Sequence, residues 1–403
     1  MAEAQGLSIL VIGYAGGEIT FLNRLVRGLG DAGIKLTVTS SKGVTSSLLK
    51  HPNIKRLKTS PWEGNIPARF FRLGVSFFSR FSFQRLGWLK KQVLAAPGLR
   101  QKLVILNRYL PFIRGDWDLI YFPWNSAAIG YQGLFELGIP VVLSCRGSQV
   151  NIRPHLPGQL DFVAGLRETL QKAAAVHCVS VDIEREAQTY GLEQGKSRII
   201  RPAVDPQFFT PPVEKPENER FRLITTGALV WNKGYEYLLF VLKKLLDFGV
   251  DAELHILGQG QMEQAIRFTL FDLNLEQRVY LYGRLKTEEV LAQLQAADAF
   301  VLASLSEGIS NAVLEAMSCG LPVVTTDCGG MSEAVTDGVE GFLVPLRDPH
   351  SMAQGLLKLS KDYDLRMSMG KAARERICGD FKLEDQAKAF VELFKFAVKT
   401  NEE

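Results

Sequence analysis

Short apolar runs, each closed by a glycine, proline or serine, alternate along the chain with stretches whose apolar residues recur at three- and four-residue spacing. Such a run suits a strand buried on both faces of a parallel sheet, and the longer period suits the helix that crosses back over it. The alternation occurs twice. The first series has runs at 9–12, 35–39, 119–122, 141–144, 176–179 and 198–200, with Ile19, Leu22, Val26 and Leu29 marking one helix face. The second has runs at 223–226, 253–257, 279–282, 299–303 and 323–325, with helices expected over 237–248 and 291–297. The pattern predicts an α/β protein of two doubly wound, Rossmann-like parallel-sheet domains.

Between the two series, residues 202–219 include Pro202, Pro206, Pro211, Pro212 and Pro216. Proline fixes φ and removes an amide donor, so this stretch reads as a linker. The expected boundaries are 1–205 for the first domain, 206–220 for the linker, 221–380 for the second domain and 381–403 for a closing helix. Three helical stretches follow the second sheet with no strand between them. The last, over 383–398, is expected to return to the first domain.

A length of 403 residues fits two cores better than one, and 46% hydrophobic with 22% charged residues is ordinary globular composition. A net charge of +4 is small for that length and does not advertise nucleic acid as a partner. Five cysteines without a Cys-x-x-Cys pair argue against a disulfide framework and a structural zinc site, and favour a reducing cytoplasm. Residues 8–13 read as a first strand, with no basic leader before them. The most apolar stretches are interrupted far short of the roughly 18 residues a membrane-spanning helix needs. A cytoplasmic protein is expected, with room for a peripheral position at the inner face of a membrane.

Doubly wound sheets bind ligands at the carboxyl ends of their strands. Three such places stand out. After the first strand comes Gly13-Tyr-Ala-Gly16-Gly17, where glycines admit a ligand to the backbone and the next helix offers free amides. A glycine turn serving only strand-to-helix geometry would look the same. After the first strand of the second series comes Thr226-Gly-Ala-Leu-Val-Trp-Asn-Lys233-Gly234, where a lysine beside glycine can bring a point charge to a phosphate, or stand as a solvated surface lysine. The third place begins at Ser304 and contains Glu307, Gly308, Ile309, Ser310, Asn311 and Glu315. Ser310 suits a helix cap, leaving Glu307 in the loop and Glu315 one turn inside, pointing back toward the helix start. Both carboxylates then reach one ligand, with the amides of Ile309, Ser310 and Asn311 facing its anionic part. A salt-bridged Glu315 and a solvated Glu307 form the plainer alternative.

These residues resemble the retaining nucleotide-sugar glycosyltransferases of family 4, whose fold is called GT-B, two Rossmann-like domains facing a central cleft. The most specific shared element is the run from Glu307-Gly308 through Leu314-Glu315-Ala316-Met317 to Gly320 and Pro322. Gly16-Gly17, Lys233-Gly234, Leu257-Gly258-Gln-Gly260, Tyr282-Gly283-Arg284 and Val204-Asp205-Pro206 support it, so the likeness covers nearly the whole chain. The resemblance implies that Glu315 binds the ribose hydroxyls of a UDP- or GDP-sugar, Glu307 contacts the sugar, Lys233 neutralises the diphosphate and the strand ends near Gly283 frame the base, with Gly258 and Arg284 among the donor-binding residues. It also implies transfer of a hexose-type sugar to an acceptor hydroxyl with retained configuration. The route it implies has the leaving phosphate itself take the acceptor proton, with no cofactor and no metal expected, and it implies an acceptor of polysaccharide or glycolipid synthesis.

Two positions depart from that family's pattern. Gly227-Ala228-Leu229 stands where many members have Gly-Arg-Leu, so a second phosphate cation is missing, and Cys145-Arg146-Gly147 stands where many have His-Gly. Arg146 cannot act as a base at neutral pH, but it can donate hydrogen bonds to a phosphate or sugar oxygen and so replace the missing cation. A nucleotide-sugar epimerase and a catalytically silent sugar-nucleotide-binding subunit compete with the transferase reading.

Other signals are secondary. Asp116-Trp-Asp118 precedes a strand and reads as a turn, while His51, His177, His255 and His350 read as structural histidines. His155 follows the Arg146 loop and is a candidate for the acceptor side together with Arg146. Residues 66–114 carry ten Lys and Arg, from Arg69 to Arg114, no acidic residue, and interleaved aromatics from Phe70 to Trp88. Such a segment can lie on an anionic membrane surface or bind an acidic acceptor, or simply bury its rings and solvate its cations.

Overall fold

In a computed structural model that describes residues 6–14, 20–40, 46–58, 83–113 and 115–402, the apolar runs form two parallel sheets. The first contains β1 (Ser8–Tyr14), β2 (Lys35–Ser40), β3 (Ile54–Lys58), β4 (Leu119–Phe122), β5 (Val141–Cys145), β6 (Ala175–Cys178) and β7 (Ser197–Ile199), in the spatial order β3-β2-β1-β4-β5-β6-β7. The second contains β8 (Phe221–Thr226), β9 (Ala252–Leu257), β10 (Val279–Gly283), β11 (Ala299–Leu302), β12 (Val323–Thr326) and β13 (Gly341–Val344), in the order β10-β9-β8-β11-β12-β13. Every residue of β4, β5, β6 and β11 is buried, which is why these strands read as unbroken apolar runs.

Two strands lie outside the runs singled out by sequence, and both are sheet edges. β3 reads Ile-Lys-Arg-Leu-Lys, three cations in five residues, as suits an edge that must resist pairing with another chain. β13 starts on glycine and is only half buried, so its apolar signal is short.

The helices that matter to the cleft are α1 (Thr20–Asp31), α2 (Phe83–Ala95), α3 (Gly98–Tyr109), α4 (Val181–Thr189), α5 (Tyr235–Asp247), α6 (Asn311–Ser318) and α7 (Leu383–Glu402). The last packs on the first sheet: Phe390, Phe394 and Ala397 share a core with Ile9, Val11 and Leu25. The chain therefore crosses between domains twice. At those crossings Val204 N donates to Phe381 O at 3.1 Å and Gln386 Nε2 to Arg201 O at 2.8 Å.

Each sheet reverses its winding once, between β1 and β4 in the first and between β8 and β11 in the second. Helices leave opposite faces at such a point, so the strand ends there are uncovered and open a crevice. All five cysteines are free. Among the described residues no helix is long and apolar enough to cross a membrane.

Candidate functional site

The carboxyl ends of the two sheets meet around two adjoining cavities, of about 410 and about 280 Å³, which share Thr226, Gly227 and Ala228 just after β8. The larger is walled by the second domain, with Gly258, Gln259, Arg284 and Leu285 after β9 and β10, Phe209 from the linker, and Glu315 from α6. The smaller lies between the domains. Phe21, Trp124 and Arg146 face it from the first, and Lys233, Glu307 and Ser310 from the second.

On the second-domain side, a tight turn sets Lys233. Gly234 sits at φ +61°, and a Cβ there would lie 2.2 Å from the Ala303 carbonyl oxygen, so the turn after Lys233 requires glycine. Tyr235 Oη donates to Gly227 O at 3.0 Å and ties the same turn to the end of β8. Burial, with the negative charge of Glu307 adding to it, pushes the Tyr235 phenol above its ordinary range, so it remains a donor. Lys233 Nζ forms an ion pair with Glu307 Oε1, which also accepts from Ser304 Oγ at 2.8 Å. Both charged side chains are largely buried.

Helix α6 begins at Asn311, as the sequence predicts, but the Ser310 hydroxyl makes no capping bond. Ile309, Ser310, Asn311 and Ala312 line the smaller cavity, so the positive end of the helix borders it. Glu315, one turn inside, faces the larger cavity. Thus the two glutamates serve adjoining compartments that meet at Gly227. Burial raises the Glu315 carboxyl above its usual value, and Arg24, reaching across from α1 with Nη2 3.2 Å from Oε1, pulls it back in part.

On the first-domain side, Arg146 is held by neutral groups. Its Nε donates to Pro123 O at 3.0 Å and its Nη2 to Tyr121 Oη at 3.4 Å. The guanidinium carbon lies 4.7 Å from the Phe21 ring centre and 5.9 Å from that of Trp124. The walls touch at Gly308, where a Cβ would come within 2.7 Å of Val179 Cγ2 and 2.9 Å of Arg146 O. They are also tied at Glu333, which accepts from Val181 N at the start of α4 at 2.7 Å and pairs with Arg201 at 2.8 Å.

The structure therefore brings Arg146, Lys233, Gly258, Arg284, Glu307, Ile309, Ser310, Asn311 and Glu315 to the two cavities, with Gly308 where the two domain walls touch. Gly16 and Gly17 lie outside the described residues. His155 stands apart: its side chain is 65% exposed, 3.4 Å from both Glu186 and Tyr190 Oη, and lines neither cavity. Sequence reading missed Phe21, Arg24, Trp124 and Phe209, and gave Ser304, on which the third motif begins, no role of its own. Trp124 lies two residues beyond β4, so the strand-end rule applied to every strand would have found it. No sequence signal marks Arg24. Asp118 accepts from Ser8 N at 2.7 Å, tying the approach to β4 to the start of β1, a structural role. Among the described residues no three His, Cys, Asp or Glu side chains are grouped as metal ligands would be.

Comparison with known proteins agrees with the construction of the second domain. Residues 207–376 match the family model described as glycosyl transferases group 1. The amylovoran biosynthesis glycosyltransferase AmsK of Erwinia amylovora is 30% identical over 197 residues, 47% of this chain and 48% of AmsK. An uncharacterized glycosyltransferase of Methanocaldococcus jannaschii is 30% identical over 263 residues, 64% of this chain and 70% of that protein. The chain spans about half the length of curated relatives such as AmsK. Among solved structures, Anabaena HepE in complex with UDP and glucose superposes with a TM-score of 0.71 at 16% identity, over 96% of this chain and 98% of HepE. That likeness is one of fold, and the fold is GT-B.

Proposed function

The chain belongs to the group 1 glycosyltransferases, and from that premise we propose that it moves a hexose-type sugar from a UDP- or GDP-sugar to an acceptor hydroxyl, with retained configuration and without a metal ion. Family 4 is the member class its motifs resemble, and polysaccharide or glycolipid synthesis the setting, as AmsK's role in amylovoran biosynthesis suggests.

One observation carries the reading: Lys233, Arg146 and the first residues of α6 line one cavity, adjoining a second that Glu315 helps to line. The larger cavity takes the nucleoside, with Glu315 accepting from ribose hydroxyls and the β9 and β10 ends beside the base. The diphosphate then crosses at Gly227, where amides and both cations meet it, and the sugar lies against Glu307. Developing charge on the leaving phosphate is stabilised by groups already aimed at it, which is where most catalytic power resides in this type of site. A charge-assisted contact from Lys233 supplies about 1.5 to 3 kcal/mol.

Incubation with a panel of UDP- and GDP-sugars, with and without EDTA, tests each part. Released nucleotide supports transfer, an isomerised sugar marks an epimerase, and tight binding without turnover marks a silent subunit. Loss of turnover in EDTA removes metal independence, and a product of inverted anomeric configuration removes retention. Arg146→Ala is expected to lower turnover, and a fully active, normally binding variant would show that this cation has no part in the reaction.

The same proposal includes an anionic membrane surface near a carbohydrate or lipid-linked acceptor. Of the basic segment at 66–114, residues 66–82 and Arg114 lie outside the described residues. In α2 and α3, Leu94, Leu99 and Leu103 are exposed alongside Lys90 and Arg100. Arg85 and Arg108 instead turn onto Trp117 and Tyr131, and Lys91 pairs with Glu136 at 3.0 Å. Pelleting with anionic vesicles, weakening as salt rises, is the expected result.

A further inference from the structure

We propose that Tyr121, Ser144 and His177 form a buried hydrogen-bond relay that positions Arg146 in the cleft, clamped from behind by the returning helix α7. The inference rests on the cleft being the sugar-nucleotide site, and deepens it by assigning three positioning residues. All three side chains are fully buried. From the cleft inward, Arg146 Nη2 reaches Tyr121 Oη at 3.4 Å, Tyr121 Oη reaches Ser144 Oγ at 2.7 Å, Ser144 Oγ reaches His177 Nδ1 at 2.7 Å, and His177 Nε2 reaches Ile200 O at 2.8 Å.

The proton positions in this chain follow from its far end. A carbonyl oxygen only accepts, so Nε2 of His177 carries a proton. Burial, reinforced by the positive charge of Arg146, holds the His177 pKa down at about 3, so the ring is neutral and Nδ1 accepts. Ser144 therefore donates to Nδ1, its oxygen accepts from Tyr121, and the Tyr121 oxygen accepts from Arg146. Every donor points away from the cleft, and the arginine stands at the only end that meets a ligand. Ser144 and His177 are register partners on β5 and β6, and Arg146 is the first residue beyond β5, so the sheet itself sets the spacing.

The relay engages one face of Arg146. Among the described residues, Nε bonds Pro123 O and one Nη2 hydrogen bonds Tyr121, which occupies two of the five guanidinium N–H bonds and leaves three for an anion. Behind the relay, Phe390 lies 4.6 Å from the His177 ring and Phe394 lies 5.3 Å from that of Tyr121, centre to centre. The C-terminal helix thus fixes, through two aromatic contacts, a side chain at the mouth of the cleft.

The test uses the full chain with UDP-glucose, reading UDP release, together with crystal structures of the variants. Tyr121→Phe removes one oxygen and keeps the ring. It is expected to lower kcat about 3- to 30-fold with KM within about twofold, and to release Arg146 from its place beside Phe21. His177→Ala is expected to match that loss. His177→Gln, whose amide can accept from Ser144 and donate to Ile200 O, should recover most of it. Wild-type kcat in Tyr121→Phe, or equal loss in His177→Ala and His177→Gln, overturns the relay. Should His177→Ala not fold, Tyr121→Phe decides. Should the wild type itself neither bind nor turn over any UDP- or GDP-sugar, the sugar-nucleotide reading fails, and the Tyr121→Phe structure alone judges the relay: a displaced Arg146 supports it and an unmoved one overturns it.

Discussion

Lys233 and Arg146 face one cavity from opposite domains, and they are held there by opposite means. Lys233 is bound to a carboxylate, Glu307, in a turn that only glycine can make. The partners of Arg146 among the described residues are neutral: a carbonyl, a phenol and two aromatic rings. The lysine's charge is therefore largely compensated by the protein, whereas among the described residues the arginine's is not. An incoming anion must compete with Glu307 for Lys233, but finds Arg146 oriented and uncompensated. A planar guanidinium suits the second role because it can stack on rings while keeping donors free, and a compact ammonium suits the first because it can change partner with a small rotation.

The contrast is broken most severely at the turn. Gly234→Ala forces a side chain into a left-handed conformation and against the Ala303 carbonyl, and is expected to cost roughly 2 to 4 kcal/mol in urea unfolding. Next, Lys233→Ala should lower turnover roughly 10- to 150-fold, read as nucleotide release from the preferred sugar nucleotide. Adding Glu307→Gln to it should recover stability, since an unpaired buried carboxylate is then removed.

Acid sharpens the comparison further, because the two walls respond with opposite sign. His177, behind Arg146, is held neutral with its pKa lowered to about 3, while in the unfolded chain it titrates near 6.5. Between those values only the unfolded state takes the proton, so stability falls as pH drops below about 6.5. The loss should reach on the order of 2 kcal/mol by about pH 5. Glu315 has a raised folded pKa, chiefly from burial. Its ionised form is penalised at neutral pH, and that penalty lifts as pH falls through the folded value. Urea midpoints from pH 7 to 4 should decline less steeply for His177→Gln than for the wild type. Those of Glu315→Gln should decline more steeply, because the offsetting gain is gone. Smallest is Arg146→Lys, which keeps the charge but loses the fork and the stacking. Turnover should fall about 3- to 10-fold, and a larger fall than in Lys233→Ala would reverse the ranking of the two cations.

How far each wall could be read in the sequence follows from how locally it is built. Lys233 and Gly234 lie in one strand-to-helix turn, and Glu307 and Glu315 bracket one helix start, so their spacing along the chain is nearly their spacing in space. Both sheets were legible for a related reason: strands such as β4 and β5, buried on both faces, cannot hide their composition. β3, with three cations in five residues, and the half-buried β13 could. The first-domain wall is different. Arg146 was visible at a strand end, but its setting comes from Phe21, Tyr121, Trp124 and His177, which no short motif connects. Arg24 meets Glu315 across 291 residues of chain. Contacts of that kind depend on how two complete domains meet, and that is decided by packing at Gly308 and Glu333 rather than by any local pattern.

The two passages of the chain between domains run side by side, with Val204 bridged to Lys382 and Gln386 bonded to the backbone of Arg201. Two adjacent covalent connections behave mechanically unlike one. A twist of one domain about the connecting axis would shear the passages past each other and rip out the hydrogen bonds between them, whereas a jaw-like rotation about the line that joins them leaves those bonds intact. The cleft has one soft direction, and the residues with the greatest leverage against it are those farthest from that line.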